Sequence, residues 1–240
     1  MTDTQTPLDI AFAAMEASDQ DAPRLRFYDR LADAELFVML AAEPQGDTVE
    51  PRIFDLGEAR VVLAFDREER LAQFAGGAVP YLAISGRALA GMLTAEGLTL
   101  GLNLEVAPAS TLLPPEALGW LVQTLGEGPS EGEARPERLA PPVGLPEALL
   151  SALDTKLAAT GGLARKAYLA AVTYEGGAQG HLLGVTGAVP GAEAALARAI
   201  HEALVFSGLE AGALDVTFVA DDDPLAAELA RVALRFDLPE

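Results

Sequence analysis

Apolar residues at spacings of three and four alternate along this chain with short apolar runs, and the succession of the two signals predicts helices interleaved with strands. Leu8, Ala11, Phe12 and Met15 share one helical face. Ahead of them, Thr6 is placed to cap, Pro7 suits the first turn and Asp9 lies at the positive end of the helix. A second helix is expected over residues 23–32 and a buried strand over 36–42. Residues 52–55 and 59–65 read as a hairpin turning near Gly57. Asp66 and Glu69 have the spacing of a capping box, followed by Leu71, Phe74 and Ala75 on a short apolar face. A strand over 79–84 ends at Ser85, which is placed to cap a helix with Leu89, Met92 and Leu93 inward. Residues 98–104 give another strand. Pro114 and Pro115 then open a helix carrying Leu118, Leu121, Val122 and Leu125.

The pattern lapses over residues 126–142, where Gly, Pro and Glu dominate and no apolar period survives. This predicts a linker between an N-terminal domain, residues 1–125, and a C-terminal domain, residues 143–240. In the second domain Leu145, Leu149, Leu153 and Leu157 form a helical stripe that Gly161 and Gly162 stop. Residues 164–174 and 180–186 read as a hairpin around Glu175-Gly176-Gly177. A helix over 193–206, a strand over 214–220 and a helix over 225–234 follow. The expected class is α/β mixed (α+β), with two small domains that each pack a mixed sheet with helices.

Half of the residues are hydrophobic, enough for a buried core, and the formal net charge is −20. The acidity is spread along the chain and does not form a tail. Such a field repels phosphate backbones and anionic lipid, so neither nucleic acid nor membrane is an expected partner. The chain has no cysteine, which excludes thiolate nucleophiles, disulfides and cysteine-ligated zinc. The start of the sequence lacks a basic segment leading into an apolar run, and no long uncharged apolar stretch follows, so the expected location is cytoplasmic.

Candidate chemistry is sparse. His181 and His201 fall on different predicted elements, without metal-ligand spacing. Asp221, Asp222 and Asp223 precede Pro224 and read as a helix cap and dipole partners, with Asp223 at the cap. Ser85 lies between a strand and a helix without the flanking glycines of a nucleophile elbow, so capping is the plain reading. The glycine pairs 161–162 and 176–177 lack phosphate-loop spacing. No catalytic residue, cofactor or metal is expected.

Several stretches carry a family resemblance. They are Phe27-Tyr28-Asp29-Arg30-Leu31, Ala34-Glu35-Leu36-Phe37-Val38, Pro80-Tyr81-Leu82-Ala83-Ile84-Ser85-Gly86, Leu102-Asn103 and Leu112-Leu113-Pro114-Pro115-Glu116. Ala167-Tyr168-Leu169 and Val216-Thr217-Phe218-Val219 add to them in the second half. Together they resemble the SseB family, named for enhanced serine sensitivity, with its N-terminal and C-terminal domains in order. The resemblance implies a bacterial cytoplasmic protein linked genetically to serine sensitivity, without established catalytic residues. Family members carry an Asn-Pro-Gly turn where this chain has Asn103-Leu104-Glu105. The Asn is kept and the Pro-Gly is not; a side chain bonding local backbone is the structural reading.

The expected function is therefore a non-enzymatic regulatory or protein-interaction module. The alternative is a small-ligand binder, for an amino acid or metabolite, using an interdomain cleft. Two places stand out as candidate interaction surfaces. Trp120 lies opposite its helix's main apolar face, which suits an interdomain, linker or partner contact, or burial of that helix on both sides within its own domain. With an even-length loop at Gly176-Gly177, Val172 opposes His181, Ala170 opposes Leu183 and Tyr168 opposes Val185. That register puts Lys166, Tyr168, Val172, Tyr174, His181 and Leu183 on one face and Leu169, Ala171 and Leu182 on the other. The first face reads as a recognition surface or as an ordinary solvated sheet face.

Overall fold

A computed structural model describes residues 5–44, 49–57, 59–129, 132, 134–208 and 214–239. The chain divides into two compact units, Met1–Glu127 and Gly128–Glu240. The fold is mixed α/β, with one mixed sheet in each unit.

In the first unit α1 (Pro7–Glu16) and α2 (Asp21–Asp33) lead into β1 (Glu35–Met39). Then come β2 (Ile53–Leu56), β3 (Ala59–Phe65), α3 (Glu68–Ala75), β4 (Tyr81–Ser85) and α4 (Gly86–Glu96). The unit ends with β5 (Thr99–Leu102), β6 (Thr111–Leu113) and α5 (Pro115–Gly126). The strand order is β4-β1-β3-β5-β6, with β2 also on β3. Only β3 and β5 run parallel. Val61 to Phe65 of β3 are all buried, as a central strand covered on both faces requires. One face packs α3 through Leu71 against Met39, Val61, Leu63 and Phe65. Among the helices, α1 packs on α2, α2 on α4, and α4 on α5.

Caps read from the sequence form as expected. Thr6 and Asp9 close a reciprocal capping box, and Ser85 accepts from Ala88 N–H at 3.4 Å. Two details differ. Met92 is exposed, and Ala90 joins Leu89 and Leu93 on the buried face. Asp66 does not cap α3, whose N-cap is Arg67 without a side-chain bond.

Asp66 instead joins a buried ionic cluster. Arg70 is 3% exposed. Its guanidinium donates to Asp9 Oδ2 at 2.6 Å and Oδ1 at 3.1 Å, and to Asp66 Oδ1 at 2.8 Å. Thr6 Oγ1 donates to Asp66 Oδ2 at 2.6 Å, and Ala109 N–H donates to Asp9 Oδ1 at 3.3 Å. Asn103, fully buried with φ of 49°, accepts from Asp66 N–H at 3.1 Å. The bond joins the ends of the two parallel strands, so the Asn103 side chain bonds distant backbone and not the local turn. The cluster thus pins α1, α3 and the 104–109 loop to one point at the carboxyl ends of β3 and β5. Burial alone would raise the Asp9 pKa. Hydrogen bonds from Arg70, Thr6 and Ala109 and the Arg70 charge outweigh it, and the carboxyl is held below its usual range. Burial likewise opposes the Arg70 charge, but Asp9 and Asp66 raise its pKa further still.

The second unit runs β7 (Pro136–Ala140), α6 (Glu147–Ala159), β8 (Lys166–Tyr174), β9 (Gln179–Thr186), α7 (Glu193–Phe206), β10 (Leu214–Val219), α8 (Pro224–Val232) and β11 (Leu234–Asp237). The order is β10-β9-β8-β11, with β7 also on β8. Only β9 and β10 are parallel. Two strands are new relative to the sequence reading. β7 lies inside the segment expected to be a linker and pairs with residues 171–174 of β8. β11 occupies the end of the expected last helix and pairs with residues 166–169. They share one edge of β8 and leave no long open edge there.

Both faces of this sheet are covered. Leu149, Leu153 and Leu157 of α6 and Leu196, Ile200 and Ala203 of α7 pack with Ala167, Leu169, Leu183 and Val185. On the other face Ala226 and Leu229 of α8 pack with Tyr168, Ala170, Val172 and Leu182. Leu229 Cδ1 lies 2.4 Å from where a Cβ on Gly184 would stand, so any side chain opposite Tyr168 would have to displace Leu229. Between α6 and α7, Lys156 donates to Glu202 Oε2 at 3.0 Å, both side chains being buried.

Two outcomes are expected. Arg70→Met strands two buried carboxylates and should lower the stability of the first unit by about 3–5 kcal/mol in urea unfolding. In the same assay the Asp9 contribution should be complete above the usual carboxylate range and lost as pH falls through its lowered folded pKa. Asp9→Asn should flatten that acid limb. Second, residues 128–240 expressed alone should give a cooperative unfolding transition, whereas residues 143–240, lacking β7 and the buried Leu139, should lose at least about 2 kcal/mol. Equal stability of the two fragments would contradict a structural role for β7.

Candidate functional site

The β8–β9 turn decides where the candidate residues go. Tyr174 N–H donates to Ala178 O, and Gly177 N–H to Tyr174 O. The loop is therefore the three residues Glu175-Gly176-Gly177, with φ of 98° and 88° at the two glycines. An odd loop shifts the expected register by one. His181 pairs with Ala171, Leu183 with Leu169, and Gly184 with Tyr168. A one-residue slip moves every side chain to the other face. His181 consequently lies with Leu169 and Leu183 on the α6–α7 face, while Tyr168 and Tyr174 lie under α8.

The proposed recognition face is thus not one surface. Tyr168 is buried core. Tyr174 packs beside it, half-buried. Its hydroxyl donates to Asp215 Oδ2 at 2.6 Å. Burial and then that bond raise the phenol pKa well above its usual value. His181 Nε2 lies 3.2 Å from Val143 O. Lys166 is half-buried at the start of β8. Trp120 packs edge-on to Tyr28 of α2, with ring centroids 5.1 Å apart, inside the first unit. That places the indole between two helices of its own unit while leaving it 38% exposed.

Asp223 caps α8 by accepting from Leu225 N–H at 2.8 Å, and Asp221 pairs with Arg165. Among the described residues no group of three His, Asp or Glu is arranged to hold a metal ion. No helix of the described residues is long and apolar enough to cross a membrane.

Three of the concavities formed by the described residues stand out. One of about 440 Å³ lies beside the start of α1 and includes Thr6 and Asp66 of the ionic cluster. Another, of about 590 Å³, lies past the carboxyl ends of β9 and β10, the customary place for a site in such sheets. Its walls include Arg165 and Asp221, which already form an ion pair with each other.

The third, about 870 Å³, is a groove between α7 and β10. It exists because β10 pairs with β9 alone, so half-buried Val216 and Phe218 extend beyond the cover of α7. Leu204 and Leu214 complete an apolar floor. Arg198 and His201, three residues apart on α7, form the polar wall. His201 Nε2 is buried without a hydrogen-bond partner. Arg198 is exposed and has no partner among the described residues. One carboxylate at the groove is engaged, Glu193 Oε2 accepting from Gly191 N–H at 2.9 Å, while the Asp215 side chain turns to the α8 face, where it accepts from Tyr174. The sequence alone gives His201 no metal-ligand spacing and does not single out Arg198. The signal available was the polar pair at i and i+3 on an otherwise alanine-rich face.

Residues 8–120 match the family model of the SseB protein N-terminal domain, which lies within the first unit. No curated protein and no solved structure matches the chain.

Proposed function

We propose that this chain, which belongs to the SseB family through its N-terminal domain, is a non-enzymatic regulatory protein whose second unit binds a small ligand. The observation that carries the reading is the α7–β10 groove. Its volume falls in the range of small-molecule sites, roughly 300–1,000 Å³, and it combines an apolar floor with a few convergent polar groups. Among its described lining residues there is one imidazole but no hydroxyl or thiol for it to activate. Such a set suits holding a ligand better than nucleophilic chemistry. The reading moves ligand binding from a cleft between domains to a groove within one unit. A protein partner would then sense ligand occupancy, which keeps the regulatory role.

A thermal-shift screen of the full chain against amino acids, aliphatic acids, alcohols and sugars tests this. A ligand at 100 times its Kd should stabilise by about 2.7 kcal/mol. Ala197→Phe, which fills the groove, should leave the unliganded melting temperature nearly unchanged and abolish the shift. No stabilisation by any compound, or the same stabilisation of the filled variant, would contradict the reading.

A further inference from the structure

Resting on the groove reading above, we propose that the ligand is an amphipathic carboxylate, its head held by Arg198 and His201 and its apolar chain lying on Leu204, Leu214, Val216 and Phe218. The argument is one of unmet hydrogen bonding. Folded chains leave few buried polar atoms without partners, and each exception asks for an explanation. At this groove the exception is His201 Nε2, buried and unpartnered, and the exposed Arg198 beside it has no protein partner among the described residues. Glu193, a carboxylate of the groove, accepts from Gly191 N–H. Among the described residues neither Arg198 nor His201 Nε2 meets an acceptor.

Spacing and charge narrow its identity. Arg198 and His201 lie at i and i+3, so their heads converge on one spot above the floor. A carboxylate offers two oxygens with about four lone-pair sites, enough for a guanidinium fork and one imidazole N–H. A dianion such as a phosphate ester would meet Glu193 at the same groove, within a chain of net charge −20. A single negative charge satisfies the two nitrogens with least repulsion. An ammonium head would face the like charge of Arg198. The floor carries no polar side chain among Leu204, Leu214, Val216 and Phe218, so the rest of the ligand is aliphatic or aromatic.

Calorimetric titration of the full chain at fixed ionic strength, with octanoate, 1-octanol and octylammonium as probes, tests both levels. Octanoate should bind about tenfold or more tightly than octanol, as expected for a charge-assisted hydrogen-bonded head. Octylammonium should bind no better than octanol. Arg198→Gln should reduce octanoate to the octanol affinity without changing octanol, and Arg198→Lys should restore part of the difference. His201→Gln should weaken octanoate more than octanol. Arg198 is exposed, and octanol binding by each variant reports that the groove is intact. Equal affinities for octanoate and octanol, or an octanoate preference that survives Arg198→Gln, would overturn the carboxylate head while leaving the groove reading standing. Absence of binding by all three probes, or binding unaffected by Ala197→Phe, would remove the groove reading and this inference with it.

Discussion

Charges taken out of water must be paired inside the fold, because an isolated buried ion costs far more than one contact returns. Each unit holds a buried ionic group that meets that requirement, and the pairing sets how its helices sit. In the first unit Arg70 faces Asp9 from α1 and Asp66 from the end of β3. The position of α1 is therefore fixed by a carboxylate as well as by Leu8 and Ala11. In the second unit Lys156 and Glu202 tie α6 to α7. With Glu202 turned to α6, the polar residues next to it on the helix face elsewhere: His201 and Arg198 line the groove with β10. The structural charges and the candidate binding groups thus occupy neighbouring positions of one helix, distinguished by whether the fold supplies a partner.

The groove follows from connectivity. A parallel pair needs a crossover, and the crossover from β9 to β10 is α7. The helix packs with α6 on the sheet, and β10, last in the order, keeps part of its apolar face uncovered. In the first unit the carboxyl ends of the parallel pair β3 and β5 are tied to the start of α1, the Asn103 side chain and the 104–109 loop. Asn103 has a role without a Pro-Gly after it, because its task is to accept a hydrogen bond from the neighbouring strand.

Local signals were legible in the sequence where short-range chemistry settles them. Thr6, Ser85 and Asp223 cap as their spacing requires, and the apolar stripes of α5 and α6 bury Leu118, Leu121, Leu149 and Leu153. Nonlocal choices were not legible. Asp66 has capping spacing to Glu69 and also ion-pair spacing to Arg70, and burial beneath α1 selects the second. The turn at Gly176-Gly177 admits even and odd loops, and the difference of one residue sends His181 to the opposite face from Tyr168. β11 alternates Leu234 and Phe236 with Arg235 and Asp237, a strand pattern masked by its continuity with the face of α8. β7 has almost no apolar signal of its own and is a strand because β8 offers it an edge. Arg198 and His201 carry no motif; they matter through the edge position of β10, which only the topology reveals.

The central claim is that binding resides in the α7–β10 groove and that the Arg70 cluster is structural. Amide hydrogen exchange of the full chain, with and without saturating octanoate, tests it most directly. The account predicts slower exchange in Glu193–Phe206 and Leu214–Val219 and no change in Pro7–Glu16 or Glu68–Ala75. Protection confined to the first unit, or none in α7 and β10 with octanoate bound, would contradict it.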